Sequence, residues 1–185
     1  IRHNRWRCDH GWDIDLDDGS SNYHIYDNLC LSGGIKLREG YYRTVENNVV
    51  VDNGLHPHVW YHNSGDVFRT NIVMSRYRPA RMHPKPWGKE MDSILLHDPD
   101  ADLQPAEKLQ EQSGRDEHSV RGDARFVAPS TGDYRVRRDS PANRLGFVNF
   151  PTDTFGVTAP VLRAQARTPR LSGGRTNAFT SERDE

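Results

Sequence analysis

The densest group of acidic residues lies in the stretch 13–18, which reads Asp-Ile-Asp-Leu-Asp-Asp. Asp15 and Asp17 are two positions apart, so on a β-strand their side chains project from the same face, about 6.5–7 Å apart. Lys36 and Arg38 occupy the matching positions of a second, similar stretch. Two carboxylates at such a distance can serve as a general acid and a general base. Opposite Lys and Arg on a neighbouring strand, they can equally form a surface ladder of ion pairs that stabilises the fold little.

Aromatic and imidazole side chains are concentrated around this acidic stretch. They are Trp12, Tyr41, Tyr42, Trp60, Tyr61, His10, His56, His58 and His62. Sugar-processing sites combine carboxylates, which protonate and attack, with rings on which a sugar stacks. Asp15 and Asp17 are therefore the candidate catalytic residues, and Glu39 is a further candidate acid for which a turn-capping role is comparably favoured. The candidate substrate-binding residues are Trp12, Lys36, Arg38, His56, His58, Trp60 and Tyr61, with a core position as the alternative for His58.

The sequence repeats a short pattern in which an apolar residue is followed three positions later by Asn. The copies end at Asn4, Asn28, Asn48 and Asn71, at intervals of 24, 20 and 23 residues, and a fifth copy has Ile94 instead. Short β-like segments at this period are typical of a stacked solenoid. The pattern predicts an all-β chain that forms a right-handed parallel β-helix with one coil per repeat. The Asn side chains are predicted to hydrogen-bond along the stacking direction, because an amide can both donate and accept.

Aligning the segments that precede each Asn predicts which residues stack. The predicted inward rows are Ile14, Ile35 and His58 in one, and Leu16, Leu37 and Trp60 in the other. Alternation along each strand then places the following residues on the outer face: Asp15, Asp17, Lys36, Arg38, Val59 and Tyr61. The two histidines that flank Pro57 lack a third ligand in register, so the sequence predicts no metal site.

The repeats divide the chain into three parts. Residues 1–98 are predicted to form the coils, and residues 99–162 a capping segment with a short helix near 105–113. Residues 163–185 are rich in Arg, Ser, Gly, Thr and Glu, which predicts a disordered tail. Because the chain begins inside a repeat, we expect further N-terminal coils of a parent chain to precede it.

Composition limits the classes of partner. The chain has 25 Lys and Arg against 26 Asp and Glu, so it carries no bulk positive field for nucleic acid or an anionic membrane. No apolar run approaches the length of a membrane span. Cys8 and Cys30 lie near corresponding positions of consecutive coils, where two small buried side chains are favoured over a disulfide.

Several stretches together resemble a known family of carbohydrate-active enzymes. They are Trp12–Asn22, Gly34–Gly40, His56–Trp60 and the end Ser140–Val157. These resemble glycoside hydrolase family 141 over roughly residues 1 to 160, among bacterial right-handed parallel β-helix enzymes with fucosidase- and xylanase-type activities. The resemblance implies the C-terminal part of a longer enzyme that hydrolyses a glycosidic bond with two carboxylic acids in a groove along the helix. Matched by motif, it points to Asp15 and Asp17 first and to Glu39 as a further partner.

The leading prediction is a glycoside hydrolase that needs no cofactor, acts on plant or algal poly- or oligosaccharides, and is secreted or periplasmic because of its substrate. The first alternative is a polysaccharide lyase on the same fold. There Asp15 and Asp17 would hold Ca²⁺ against a uronate, and Lys36 or Arg38 would abstract the proton next to the uronate carboxylate. The second alternative is a non-catalytic carbohydrate-binding β-helix.

Overall fold

The computed structural model describes residues 1–152, 155 and 159–165. The strands stack in parallel into a β-solenoid of about five turns, which we call coils. The coils contribute their strands to three sheets that run along the solenoid. The predicted all-β parallel β-helix is confirmed.

The elements are short, as expected for a chain that bends every few residues. The strands are β1 (Arg5–Trp6), β2 (Ile14–Leu16), β3 (His24–Tyr26), β4 (Leu29–Cys30), β5 (Ile35–Leu37), β6 (Thr44–Glu46), β7 (Val49–Val50), β8 (Leu55–Pro57), β9 (Val67–Arg69), β10 (Ile72–Val73), β11 (Glu90–Asp92), β12 (Leu95–His97), β13 (Gln104–Pro105), β14 (Val120–Gly122), β15 (Phe126–Ala128) and β16 (Asp133–Val136). The helices are α1 (Glu107–Ser113) and α2 (Pro160–Gln165), with 3₁₀ turns at Pro129–Thr131 and Pro141–Leu145. The predicted short helix near 105–113 corresponds to α1.

Three sheets enclose one apolar core. Sheet 1 contains β2, β5 and β8; sheet 2 contains β3, β6, β9 and β11; and sheet 3 contains β1, β4, β7, β10, β12 and β14 in parallel, with β13 antiparallel to β14. Inward side chains from all three sheets, among them Ile35, Val45, Phe68 and Val73, are fully buried. Alternation along each strand sends the intervening residues outward, so side chains at matching positions of successive coils form rows on the outer face of each sheet.

The Asn residues form the predicted ladder at the bend between sheets 2 and 3. The Oδ1 of Asn48 accepts hydrogen bonds from the backbone N and the Nδ2 of Asn28, both at 3.0 Å. The Oδ1 of Asn71 accepts from the same two atoms of Asn48, both at 2.9 Å. Asn4 donates in the same way to Asn28, at 3.2 and 3.1 Å. The ladder supplies partners to polar groups that a buried bend would otherwise leave unpaired.

The backbone at the bend is strained. The residue before each Asn, and before Ile94, has a φ of 51–58°, in the left-handed region that side chains other than Gly rarely occupy. At the fifth copy the backbone N of Ile94 donates instead to the Oγ of Ser119 at 3.0 Å. Ser119, one coil further on, thus takes for Ile94 the acceptor role that Asn48 takes for Asn28 and Asn71 takes for Asn48.

We expect Asn48→Leu to lower the free energy of unfolding by about 3 kcal/mol, because each buried polar group left without a partner costs roughly 1–3 kcal/mol. The substitution removes the acceptor for Asn28 and the donor to the carbonyls of Ile25 and Glu46. Urea unfolding followed by circular dichroism measures the loss. Asn4→Leu, at the part-buried end of the ladder, is the matched control. Equal losses in the two variants would contradict the ladder's role.

The register of sheet 1 differs from the prediction in its third strand. Ile14 and Ile35 pair as predicted, but Ile35 pairs next with Leu55 rather than with His58. The predicted alignment was wrong by three residues. The outer face of the third coil therefore carries His56, and the predicted outward positions Val59 and Tyr61 lie beyond the strand.

The C-terminal segment covers the side of the solenoid as well as its end. Ala106 and Leu109 at the start of α1 join the inner core. The hairpin β15–β16 and the following turn instead pack on the outer face of sheet 3, where they bury a second apolar cluster. Its members include Leu29, Val49, Ile72, Leu95, Phe126, Val136, Phe147 and Phe150. Asn47 and Val148 exchange two hydrogen bonds of 2.8 Å across this contact.

The two cysteines do not form a disulfide. Cys8 and Cys30 are free thiols, and burial raises the pKa of Cys30 well above its usual value. None of the helices in the described part of the chain has the length and apolar character needed to cross a membrane. Of the predicted tail, residues 163–165 end α2, and residues 166–185 lie outside the described residues.

Candidate active site on the outer face of sheet 1

The outer face of sheet 1 gathers the charged residues that the sequence singled out. Asp15 pairs with Lys36, and Lys36 pairs with His56, so these three side chains form one row. Backbone hydrogen bonds from Arg38 to the carbonyl of Leu16 and from His58 to that of Leu37 continue the register into a second row. That row contains Asp17, Arg38 and His58. We call these two rows the charged face.

The acidic end of the charged face is held by ion pairs. The Nζ of Lys36 lies 3.2 Å from Asp15 Oδ1 and 3.4 Å from Asp17 Oδ2. The Nη1 of Arg38 lies 3.1 Å from Asp17 Oδ1 and 2.9 Å from Asp18 Oδ1. Desolvation opposes ionisation of Asp17, but the hydrogen bond from Arg38 and the charge of Lys36 outweigh it and lower the pKa of that carboxyl. Asp17 is therefore a carboxylate at neutral pH.

Glu39 joins this group at the end of β5. Its Oε2 lies 2.8 Å from the Nε of Arg38, as an ion contact that lacks hydrogen-bond geometry. Its backbone carbonyl accepts a hydrogen bond of 2.7 Å from the N of Gly19, in the turn that follows the acidic stretch. Arg38 therefore contacts carboxylates from two coils, and the three candidate acids lie within one charge network.

Two neutral imidazoles lie beyond the cations. Burial, with the charges of Arg78 and Lys36, lowers the pKa of His56 to about 3. Its ring packs against Trp12, with centroids 3.8 Å apart at an interplanar angle of 61°, and its Nε2 has no hydrogen-bond partner. Burial, followed by the charges of Arg38 and Lys36, also lowers the pKa of His58. Both rings can accept or donate a hydrogen bond without carrying charge.

The other two aromatic residues predicted to bind substrate, Trp60 and Tyr61, differ in exposure. Trp60 is only 2% exposed, and its Nε1 donates to the carbonyl of Leu37 at 2.7 Å. It lies inward, as its predicted row has it, and not on the surface where a substrate-binding residue would lie. Tyr61 is 42% exposed and stacks on Tyr41, with centroids 5.4 Å apart and planes at 21°. Tyr61, stacked on the half-buried ring of Tyr41, is therefore one aromatic surface that a sugar can reach.

Sequence reasoning missed a groove on sheet 2. Its volume is about 400 Å³, and Tyr23, His24, Tyr42, Glu46 and Arg69 are among the residues that line it. Arg69 connects the carboxylates of two coils, at 2.8 Å from Glu46 and 3.3 Å from Glu90 (an ion-pair row like that of sheet 1). The succession of acidic, basic and acidic residues at matching repeat positions, Glu46, Arg69 and Asp92, is a signal that could have found it.

The donor groups in the described part of the chain do not assemble a metal centre. Among the residues that the structure describes, no group of three or more His, Cys, Asp or Glu side chains is placed to hold a metal ion. On the charged face, Lys36 and Arg38 occupy the positions around Asp15 and Asp17 that a cation would need.

Comparison with protein-family models, with curated proteins and with solved structures finds no match to this chain. The class that the fold itself defines is a parallel β-helix protein. Its distinguishing feature is an outer face on which carboxylates, cations and neutral imidazoles follow one another from coil to coil.

Proposed function

We propose that this chain acts as a glycoside hydrolase of the kind that family 141 represents, and that it cleaves plant or algal poly- or oligosaccharides on the charged face of sheet 1. The observation that carries the proposal is the pair Asp15 and Asp17. Asp15 lies on β2 and Asp17 directly follows it, and the next coils of the same face carry Lys36, Arg38 and the neutral imidazoles of His56 and His58. Such substrates place the protein outside the cytoplasm, secreted or periplasmic.

The environments of the two acids suggest different roles. The pKa of Asp17 is lowered by Arg38 and Lys36 against the opposing effect of desolvation, which suits the carboxylate that attacks the anomeric carbon or activates water. Asp15 shares Lys36 with Asp17 and is the candidate acid once a bound sugar separates it from that ammonium group. Glu39 is the alternative acid. A strand spacing of about 6.5–7 Å falls in the range of inverting enzymes, which leave room for a water molecule between the carboxyl groups.

A polysaccharide lyase remains a second candidate because of His58. Its lowered pKa leaves a neutral imidazole beside Arg38, and lyase chemistry needs a base next to a cation that neutralises the uronate carboxylate. In a Ca²⁺-dependent lyase that used Asp15 and Asp17 as ligands, the ion would have to displace Lys36 and Arg38 from those carboxylates.

The test is product analysis on a panel of plant and algal glycans, with and without a chelator. We expect new saturated reducing ends whose release is indifferent to the chelator. Unsaturated products that absorb in the near ultraviolet would instead support the lyase. Binding without turnover across the panel would support a non-catalytic carbohydrate-binding β-helix and contradict the proposed hydrolase.

A further inference from the structure

The charged face continues into a fourth coil, whose backbone pairs with β8 without forming a regular strand. The backbone N of Arg78 donates to the carbonyl of Leu55 at 2.9 Å, and the N of Ala80 donates to that of Pro57 at 3.0 Å. A parallel bridge pairs His58 with Ala80. Arg78 is therefore the neighbour of His56 in the first row. Three inter-coil steps of about 4.8 Å place it about 14 Å from Asp15.

The basic residues at this end differ from those at the acidic end. Lys36 and Arg38 are neutralised by carboxylates. Arg78, Arg81 and Lys85 are exposed, and within the described part of the chain none of them forms an ion pair with a carboxylate. The charges of Arg78 and Arg81 contribute to the lowered pKa of His56 and of His58, respectively, after burial as the main cause. Positive charge is thus concentrated at one end of the face without internal compensation.

A groove accompanies these cations. Its volume is about 610 Å³, and its lining includes Arg81, Met82, Lys85 and Trp87. The orientation of the Trp87 ring is fixed by a hydrogen bond of 3.2 Å from its Nε1 to the carbonyl of His83. The groove therefore combines an apolar floor with two cationic groups, which suits a ring that carries a negatively charged substituent.

His56 adds an independent sign that a ligand belongs on this face. The residue is 6% exposed, and its Nε2 has no hydrogen-bond partner. A buried polar atom left unpaired costs free energy, and such atoms in folded proteins are uncommon. His56 lies in the row between Lys36 and Arg78. Its Nε2 has almost no exposed surface, so a ligand hydroxyl or oxyanion would become its partner only when a shift of neighbouring side chains opens the ring.

We infer that the basic end of the charged face, formed by Arg78, Arg81 and Lys85, binds the carboxylate or sulfate of an acidic glycan. The inference rests on the proposed function and gives it a substrate class. Because the basic end lies about 14 Å from Asp15 along the coils, the anionic group belongs to a different sugar residue from the one that is cleaved. The cations therefore position the chain of sugars and take no part in bond cleavage.

The experiment measures binding and turnover for matched acidic and neutral oligosaccharides. The carboxylate probes are trigalacturonate and its methyl ester, and the sulfate probes are a sulfated galactan oligosaccharide and its desulfated form. We expect the full chain to prefer at least one acidic probe over its neutral partner. We expect that preference to weaken at high salt, since exposed charges are screened.

The variants are Arg78→Gln and Arg81→Gln, with Lys108→Gln on the exposed side of α1 as the matched control. Each of the first two should weaken binding of the acidic probe about tenfold, the equivalent of one charge-assisted hydrogen bond. The control should bind like the parent. Unchanged thermal midpoints establish that all three variants fold.

The outcomes separate the inference from the proposed function. Equal affinity for acidic and neutral probes, or Arg variants indistinguishable from Lys108→Gln, would overturn the inference even if hydrolysis is observed. Acidic preference that depends on Arg78 and Arg81 supports the inference even if Asp15 and Asp17 prove dispensable and the hydrolase proposal fails. No binding of any probe would overturn it. The galacturonate and sulfate arms identify which anion is recognised.

Discussion

Replacing Asp66 by alanine is expected to lower the free energy of unfolding by about 3–5 kcal/mol. Asp66 and Arg43 form an ion pair in which both side chains are fully buried, with Arg43 Nη2 2.6 Å from Asp66 Oδ2. Asp66 also accepts hydrogen bonds from the backbone N of Arg43 at 3.0 Å and from its Nε at 2.9 Å. The substitution leaves a guanidinium in the core with no carboxylate to neutralise it. Chemical unfolding monitored by tryptophan fluorescence measures the loss.

Two further variants make this result specific to the buried charge. Asp139→Ala removes an exposed ion pair with Arg125 and should cost less than about 1 kcal/mol. The double variant Arg43→Met with Asp66→Ala removes both charges, so we expect it to be more stable than Asp66→Ala alone. A double variant that is less stable than the single one would show that packing, rather than an uncompensated charge, accounts for the loss.

The buried pair of Arg43 and Asp66 also contacts the backbone of the charged face. The Nη1 of Arg43 donates to the backbone carbonyl of Arg38, and its guanidinium lies 5.9 Å from the ring of Trp60. Arg43 therefore fixes the end of β5, where Arg38 and Glu39 leave the strand. Trp60 has a structural role in the same contact, which explains why this aromatic residue lies inside.

The fold could be predicted because its determinants repeat along the sequence. Each coil needs a polar group at the bend into sheet 3, and Asn meets that need at Asn28, Asn48 and Asn71. The pairing of Asp15 with Lys36 follows from the same repetition. Local, periodic requirements of this kind are visible in a single sequence.

The register error in sheet 1 has a local cause. The third strand reads Leu55-His-Pro, and its proline is a residue that seldom occurs inside a sheet and that marks a turn in the sequence. The next apolar and aromatic positions, His58 and Trp60, fit the pattern three residues too late. A shift by any odd number of residues exchanges the two faces of a strand. The three-residue shift therefore placed Val59 and Tyr61 on the outer face in the prediction, where the structure has His56.

The covering of sheet 3 could not be read from the repeats. Its contacts join residues far apart in the chain, as in the pairing of Asn47 with Val148, which are 101 positions apart. The apolar residues on the outer side, such as Val49 and Ile72, look like core residues in the sequence. The basic end of the charged face was missed for a related reason, because Arg78 lies in a Pro-rich stretch that the sequence marks as a loop.

The substitution Asp17→Asn is expected to lower kcat for glycan hydrolysis by roughly 10²–10⁴-fold, the usual contribution of a positioned acid or base. The amide keeps the size and shape of the side chain, so Arg38 retains an oxygen to contact while the negative charge is lost. Reducing-end release under saturating substrate measures the change, and a thermal midpoint within the parent's range shows that the variant folds.

Asp18→Asn is the matched control, because Asp18 also pairs with Arg38 but its side chain is 80% exposed. Removing that surface pair should leave kcat within about twofold of the parent.

Lys36→Met gives a second readout, the pH dependence of kcat. The ammonium group of Lys36 helps to lower the pKa of Asp17 against desolvation, so its removal raises that pKa. The acid limb of the kcat profile should therefore move to higher pH. Equal activity in Asp17→Asn and Asp18→Asn, or an acid limb that Lys36→Met does not move, would assign the pairs on this face to the stability of the coils rather than to catalysis.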